Sequence, residues 1–227
     1  MKFFQRNRRV DLGRRARGVR RFEAGVEQME GRRLLTGSGA TIVLSGTMLE
    51  VVGTNLGDTG VVSVKSGVVD VEVSNSQGSD NDTFPAAQVS SIWYYGGSGN
   101  NTFTNDTSLT GNLFGGSGNN VLTGGSGTDF LYAISNGTNV LNAGSGTENL
   151  DAFGSGMNVL NGGSGYDTMF AFGGNNEITG GSGSSFIIAL GGQNTIDGGS
   201  GYSIVYSFSS TDIVVPRQQE TIVHIGY

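Results

Sequence analysis

The chain has 227 residues, with Gly 41, Pro 2, no Cys and a formal net charge of -6. So much glycine without a collagen triplet excludes an ordinary helical globule and points to an all-β chain of short strands between many turns. The lack of cysteine excludes disulfides and thiolate metal sites, so any bound metal is an oxygen-loving one.

Eleven of the thirteen Lys and Arg residues lie between Lys2 and Arg33, and only Lys65 and Arg217 follow. Residues 1–35 therefore read as a disordered basic arm on an acidic body, the pattern of a targeting or interaction tail. The acidic body argues against nucleic acid as the partner. The arm lacks the apolar core of about 7 to 15 residues that a standard secretory peptide carries. No apolar run of about 18 residues exists to span a membrane. Val26-Glu-Gln-Met-Glu-Gly-Arg-Arg-Leu-Leu35 resembles the LEPRxLL segment of large surface or secreted proteins of planctomycete bacteria, with Met29 in place of Leu and Gly31 in place of Pro. That resemblance implies an export or sorting segment, and an extracellular or cell-surface location.

Residues 36–95 alternate apolar and polar positions between glycine turns, which predicts strands at Ala40 to Leu44, Met48 to Val52, Val61 to Val64, Val68 to Val73 and Ser90 to Tyr94. They form an N-terminal β section that starts the following array or covers its first turn. Asp80-Asn-Asp82 reads as a loop of solvated polar residues, with contact to a cation as the alternative.

From residue 96 to 210 a nine-residue, glycine-rich phrase returns twelve times at steps of 8 to 11 residues. Its clearest copies are Gly124-Gly-Ser-Gly-Thr-Asp-Phe-Leu-Tyr132 and Gly162-Gly-Ser-Gly-Tyr-Asp-Thr-Met-Phe170, which fit G-G-x-G-x-D-x-U-x with U a large apolar residue. The U column reads Phe103, Phe114, Leu122, Leu131, Leu141, Leu150, Leu160, Met169, Ile178, Ile187, Ile196 and Val205. Stacking converts that column into a continuous core at about 1.5 to 3 kcal/mol per enclosed side chain. Two phrases make one turn, so the array predicts a β-solenoid of about six two-strand turns. Residues 211–227 then supply a strand capping its open end.

Two rows of polar residues follow from that pairing. One is the file Asn101, Asn120, Asn139, Asn158, Asn176 and Asn194, in which each amide both donates to and accepts from its copies one turn away. The other is Asn112, Asp129, Glu148, Asp167, Ser185 and Ser203. Stacked carboxylates only accept hydrogen bonds and repel one another, a conflict that a cation between turns resolves.

Over residues 96 to 207 the array resembles the RTX family, the hemolysin-type calcium-binding repeats of secreted bacterial proteins, whose fold is a right-handed parallel β-roll. The resemblance implies Ca²⁺ held between turns by Asp129, Glu148 and Asp167 with the loop carbonyls of Gly125, Gly127, Gly144, Gly146, Gly163 and Gly165. At most two such sites are implied, and Glu148 is one methylene longer than the family's Asp. Most turns lack the charge and are expected to be metal-free.

Beside the acid row, outward positions are bulky, among them Phe130, Tyr132, Ile134, Phe153, Phe170, Phe172, Phe186, Ile188, Leu190 and Tyr206. A bulge that turns the fifth-position aromatics inward is expected. The alternative is an apolar strip covered by residues 40 to 90, by another protein or by a cell-surface polymer. Nothing assembles a Ser-His-Asp group, and the single histidine, His224, falls in the last strand. The array is therefore expected to be a non-enzymatic structural or adhesive module. The rival is a polysaccharide lyase, epimerase or glycosidase on a β-helix, for which Asp151 and Asp197 would be the acid pair.

Overall fold

The computed structural model describes residues 33–34, 37–218 and 220–225. Among these there is no α-helix, only the 3-10 turn Ala86–Gln88. The rest of the basic arm and its export-like segment lie outside the described residues. The arm's end, Arg33–Leu34, is not free chain but a short strand pairing antiparallel with Thr41–Ser45.

Two sheets enclose one core. The first runs Arg33–Leu34, Thr41–Ser45, Met48–Val52, Ser91–Tyr95, Thr110–Phe114, Thr128–Ile134, Thr147–Phe153, Tyr166–Phe172, Ser184–Leu190, Ser203–Ser207 and Glu220–His224. From the same end the second runs Gly78–Pro85, Val68–Asn75, Thr59–Lys65, Asn101–Asp106, Asn120–Thr123, Asn139–Asn142, Asn158–Asn161, Asn176–Thr179, Thr195–Asp197 and Ile213–Val215. From Met48 onward in the first sheet, and from Thr59–Lys65 into the array in the second, strands pair in parallel with the copy one turn away. This is the β-solenoid that the repeat predicts, with about seven turns.

The core follows the apolar column. Leu122, Leu131, Leu141, Leu150, Leu160 and Met169 are fully buried, and so are Ala133, Ala152, Ala171 and Ala189 two residues beyond the column in the first sheet. A strand of four to seven residues between glycine turns has no stability alone. Stacking removes both its apolar side and its backbone edge from water.

Expectations about the N-terminal section, the C-terminal segment and the register of one strand are corrected. The N-terminal section contains a strand unmarked in the sequence, Gly78–Pro85, so Asp80-Asn-Asp82 is no solvated loop. Asp80 is buried and accepts from the backbone N–H of Gly37, Ser38 and Gly39 and from Ser38 Oγ. The carboxylate thereby anchors the chain where it enters the roll. The C-terminal segment is not one cap strand. It splits at Pro216 into two strands that add a further parallel layer to both sheets.

The third correction is a register shift. Leu131 pairs with Leu113 and Asp129 with Gly111, so Leu113 fills the core, and Phe114 and Asn112 face outward. The shift arises because the 107–109 connection lengthens the chain ahead of this strand. Gly111 is needed there, since a Cβ would lie 2.3 Å from Asp129 Oδ1.

The bulky positions of the first sheet form no bulge. Pairing runs unbroken from Thr128↔Thr147 to Ile134↔Phe153 and on to Phe172, so the fifth-position side chains point outward. Outward rings stack from strand to strand in two registers: Tyr95 on Phe114 at 5.2 Å and Phe114 on Tyr132 at 5.0 Å in one, Phe153 on Phe172 at 4.9 Å in the other. Such ring pairs stabilise by about 0.5 to 1.5 kcal/mol beyond their area, and the alanine column already fills the space inside. Residues 40 to 90 extend the two sheets rather than cover this face.

Candidate metal centre

Alternation along the first sheet decides where the acids go. Leu131 and Ala133 point inward, so Asp129 does too, and the same holds for Glu148 and Asp167. Asp129 pairs with Glu148, and Glu148 with Asp167, on three consecutive parallel strands. Neighbouring strands lie about 4.8 Å apart, so three carboxylates form one file, each no more than 2 % exposed.

Their hydrogen bonds are incomplete. Asp129 accepts from Gly125 N–H at 2.6 Å and Asn105 Nδ2 at 2.8 Å. Glu148 Oε1 accepts from Gly146 N–H at 2.9 Å, and Asp167 Oδ2 from Gly163 N–H at 2.8 Å. Glu148 Oε2 and Asp167 Oδ1 are enclosed without a donor among the described residues.

Burial is the largest influence on all three acids and pushes each above the ordinary carboxylate range. Glu148 is carried up to about 8, with the closeness and negative charge of Asp167 adding to burial. A buried file of acceptors with two unfilled oxygens suits a hard cation that takes six to eight oxygens in tolerant geometry, as Ca²⁺ does.

The glycine loops stack as tightly as the strands. A Cβ on Gly144 would lie 1.6 Å from Gly125 O, and one on Gly163 the same distance from Gly144 O. Gly165 and Gly146 repeat the relation at 1.5 and 1.7 Å from the carbonyl below. Glycine is required in these loops by close approach between turns, not by positive φ, which is confined to other corners such as Gly116 and Gly118. All six carbonyls singled out by resemblance accept an N–H from the next turn, for example Gly125 O from Ser145 and Gly146 O from Tyr166. Gly163 O accepts a second N–H, from Gly183, and the other five keep a second lone pair.

No group of three or more acidic or histidine side chains converges on one point among the described residues. Past Asp167 the chemistry reverses: Ser185 and Ser203 occupy the same register, and their hydroxyls donate to the carbonyls of Gly180 and Gly198. Those positions satisfy themselves without an ion.

The asparagine file runs as expected, with Nδ2 of each residue donating to Oδ1 of the next. The distances are 3.2, 3.0, 2.9, 2.9 and 2.8 Å from Asn101 to Asn194. Its two ends were not foreseen. Asp58 N–H donates to Asn101 Oδ1 at 3.1 Å, and Asp212 accepts from Asn194 Nδ2 at 2.9 Å. Asn105, which serves Asp129, and Glu220, which re-enters the acid register opposite Ser203, were also missed. All four lie outside the glycine phrase, and only the 18-residue offset from Asn194 to Asp212 was readable.

Asp151 and Asp197 point outward from opposite sheets, so they are no acid pair. Asp197 is instead bound bidentately by Arg217.

The family model of the RTX calcium-binding nonapeptide repeat (4 copies) matches residues 109–133, 154–187 and 170–205. These segments contain Asp129 and Asp167 and leave out the turn of Glu148. A search of curated proteins and of solved structures finds no significant match. No helix among the described residues is long and apolar enough to cross a membrane. Over the matched segments the parallel roll with its stacked glycine loops is similar to the RTX calcium-binding nonapeptide repeat.

Proposed function

We propose that the chain is an exported or surface-held structural module, with an adhesive role, whose roll is stiffened by one or two Ca²⁺ ions. Asp129 with Glu148, and Glu148 with Asp167, are the carboxylate pairs of the two sites. The stacked carbonyls of Gly125, Gly127, Gly144, Gly146, Gly163 and Gly165 complete them. The observation that carries the reading is the pair of enclosed, donor-less oxygens, Glu148 Oε2 and Asp167 Oδ1, in a file of three buried acids.

Bound calcium supplies positive charge between turns. The chain's own part is to hold the acids in register, keep water out and present carbonyls on a rigid glycine stack. The rest of the roll needs no ion, because the asparagine file and the serines are hydrogen-bonded by protein alone. Export is supported by the repeat type and by the LEPRxLL-like residues 26–35. A polysaccharide-active site has no support in the placement of Asp151 and Asp197 on opposite faces.

Calorimetric titration of the full chain tests the reading. Heat corresponding to one or two Ca²⁺ per chain is expected, abolished by Asp129→Asn combined with Asp167→Asn. Binding that is unchanged in that variant overturns the assignment of ligands, and no binding by the parent chain overturns the calcium role.

A further inference from the structure

The outer face of the first sheet holds a feature that calcium leaves unused. Between its two groups of stacked rings, the strand Thr147–Phe153 presents Asp151, in register with Tyr132 on one side and Phe170 on the other, and Asn149, in register with Phe130 and Thr168. Asp151 Oδ1 and Asn149 Oδ1 are enclosed and have no donor among the described residues. Asp151 Oδ2 makes no hydrogen bond and stays open to solvent. Two unsatisfied oxygens, one of them a carboxylate's, set among aromatic rings, complement a flat cation with several N–H groups, which is a guanidinium.

The roll cannot supply that cation. From Ser66 to Pro216 there is no Lys or Arg, and Arg217 is held by Asp197 on the other sheet. Residues 1–35 carry eleven cationic and four acidic side chains, whereas residues 36–227 carry two and fifteen. Nine of the cations fall between Lys2 and Arg21. The chain joins the body at Arg33–Leu34, on the edge of this same first sheet, six strand steps from Thr147–Phe153. Six steps are about 29 Å, well within the roughly 65 Å reach of twenty extended residues.

We propose that the arginine-rich segment of residues 2–21 docks in cis on the outer face of the first sheet, with one guanidinium seated on Asp151 between Tyr132 and Phe170. The proposal does not rest on calcium, because Glu148, Leu150 and Ala152 of that strand point to the opposite side. Burial without a donor raises Asp151 to about 6, a penalty that a guanidinium on Oδ2 offsets.

The chain has no cysteine and one tryptophan, and Trp93 lies on this face, stacked with Phe114 at 6.2 Å. In the full chain, Ala16→Cys labelled with a short-range tryptophan quencher reports docking directly. At low ionic strength Trp93 emission is expected to fall about twofold or more, since a tethered segment acts at millimolar effective concentration. High salt and Asp151→Asn should each restore the emission, with an unchanged circular dichroism spectrum showing that the roll is intact. Emission equal to that of the unlabelled chain overturns the proposal. So does quenching that persists in Asp151→Asn, or quenching that grows with protein concentration, the mark of a neighbouring copy's arm.

Discussion

Asn194 donates its side-chain amide to the carboxylate of Asp212, and there the asparagine ladder ends, because a carboxylate has nothing to pass on. Asp212 also accepts from Asn194 N–H at 2.9 Å and from Ser207 Oγ at 2.7 Å. Removing it strands three donors at the last turns. Asp212→Ala is expected to lower stability by about 2 to 4 kcal/mol, whereas Asp212→Asn retains an acceptor and costs less. Thermal unfolding followed by circular dichroism separates the two.

In mid-ladder the same logic acts on both sides. Asn139 accepts from Asn120 Nδ2 and donates to Asn158 Oδ1. Asn139→Ala removes the acceptor of Asn120 N–H, Asn120 Nδ2 and Ser135 Oγ and the donor to Asn158 Oδ1. A loss of about 2 to 5 kcal/mol is expected, or roughly 5 to 15 °C in Tm for a domain of this size. A melt unchanged within about 1 °C would contradict a ladder that matters to stability.

The glycine stack makes a sharper claim. Gly163→Ala puts a methyl group where Gly144 O stands, 1.6 Å from the new carbon. The loops must part, and a loss above about 3 kcal/mol is expected. Ser164→Ala beside it, on an exposed side chain with no hydrogen bond of its own, should stay within about 0.5 kcal/mol. Chemical denaturation of the pair gives the comparison.

Calcium-free protein should lose stability as pH rises. Glu148 goes from an ordinary value of 4.5 to about 8 in the fold, so the folded state binds the proton more tightly than the unfolded chain. Stability is then full below about 4.5, declines through neutrality and is fully reduced above about 8. Asp129 and Asp167 shift upward as well and steepen the decline. In chelator, Tm should fall between pH 5 and pH 8, and Glu148→Gln should flatten most of that slope. A Tm that rises over the same range would reverse the assigned sign.

The parts written in side-chain chemistry were legible in the sequence. An unbroken asparagine file has one self-consistent use, and an apolar residue two places on has one side to point to. The parts missed are those set by register rather than residue type. Phe114 and Leu113 are equally apolar, and only the length of the 107–109 connection decides which is buried. Asp58 and Asp212 lack the glycine phrase that marks a turn, although they occupy the same file. Gly78–Pro85 looks like a loop because its alternation is polar against polar. It is a strand because Val69, Val71 and Val73 opposite need an edge partner. The outward rings looked too apolar to face solvent, and their stacking along the register is invisible one strand at a time.

Anomalous diffraction from crystals grown with calcium tests the central claim most directly. One or two calcium peaks are expected inside the loop stack, between the turns of Asp129 and Glu148 and between those of Glu148 and Asp167, with none beside Ser185 or Ser203. Well-ordered crystals with no peak in that stack, or with calcium beside the asparagine file instead, would contradict it.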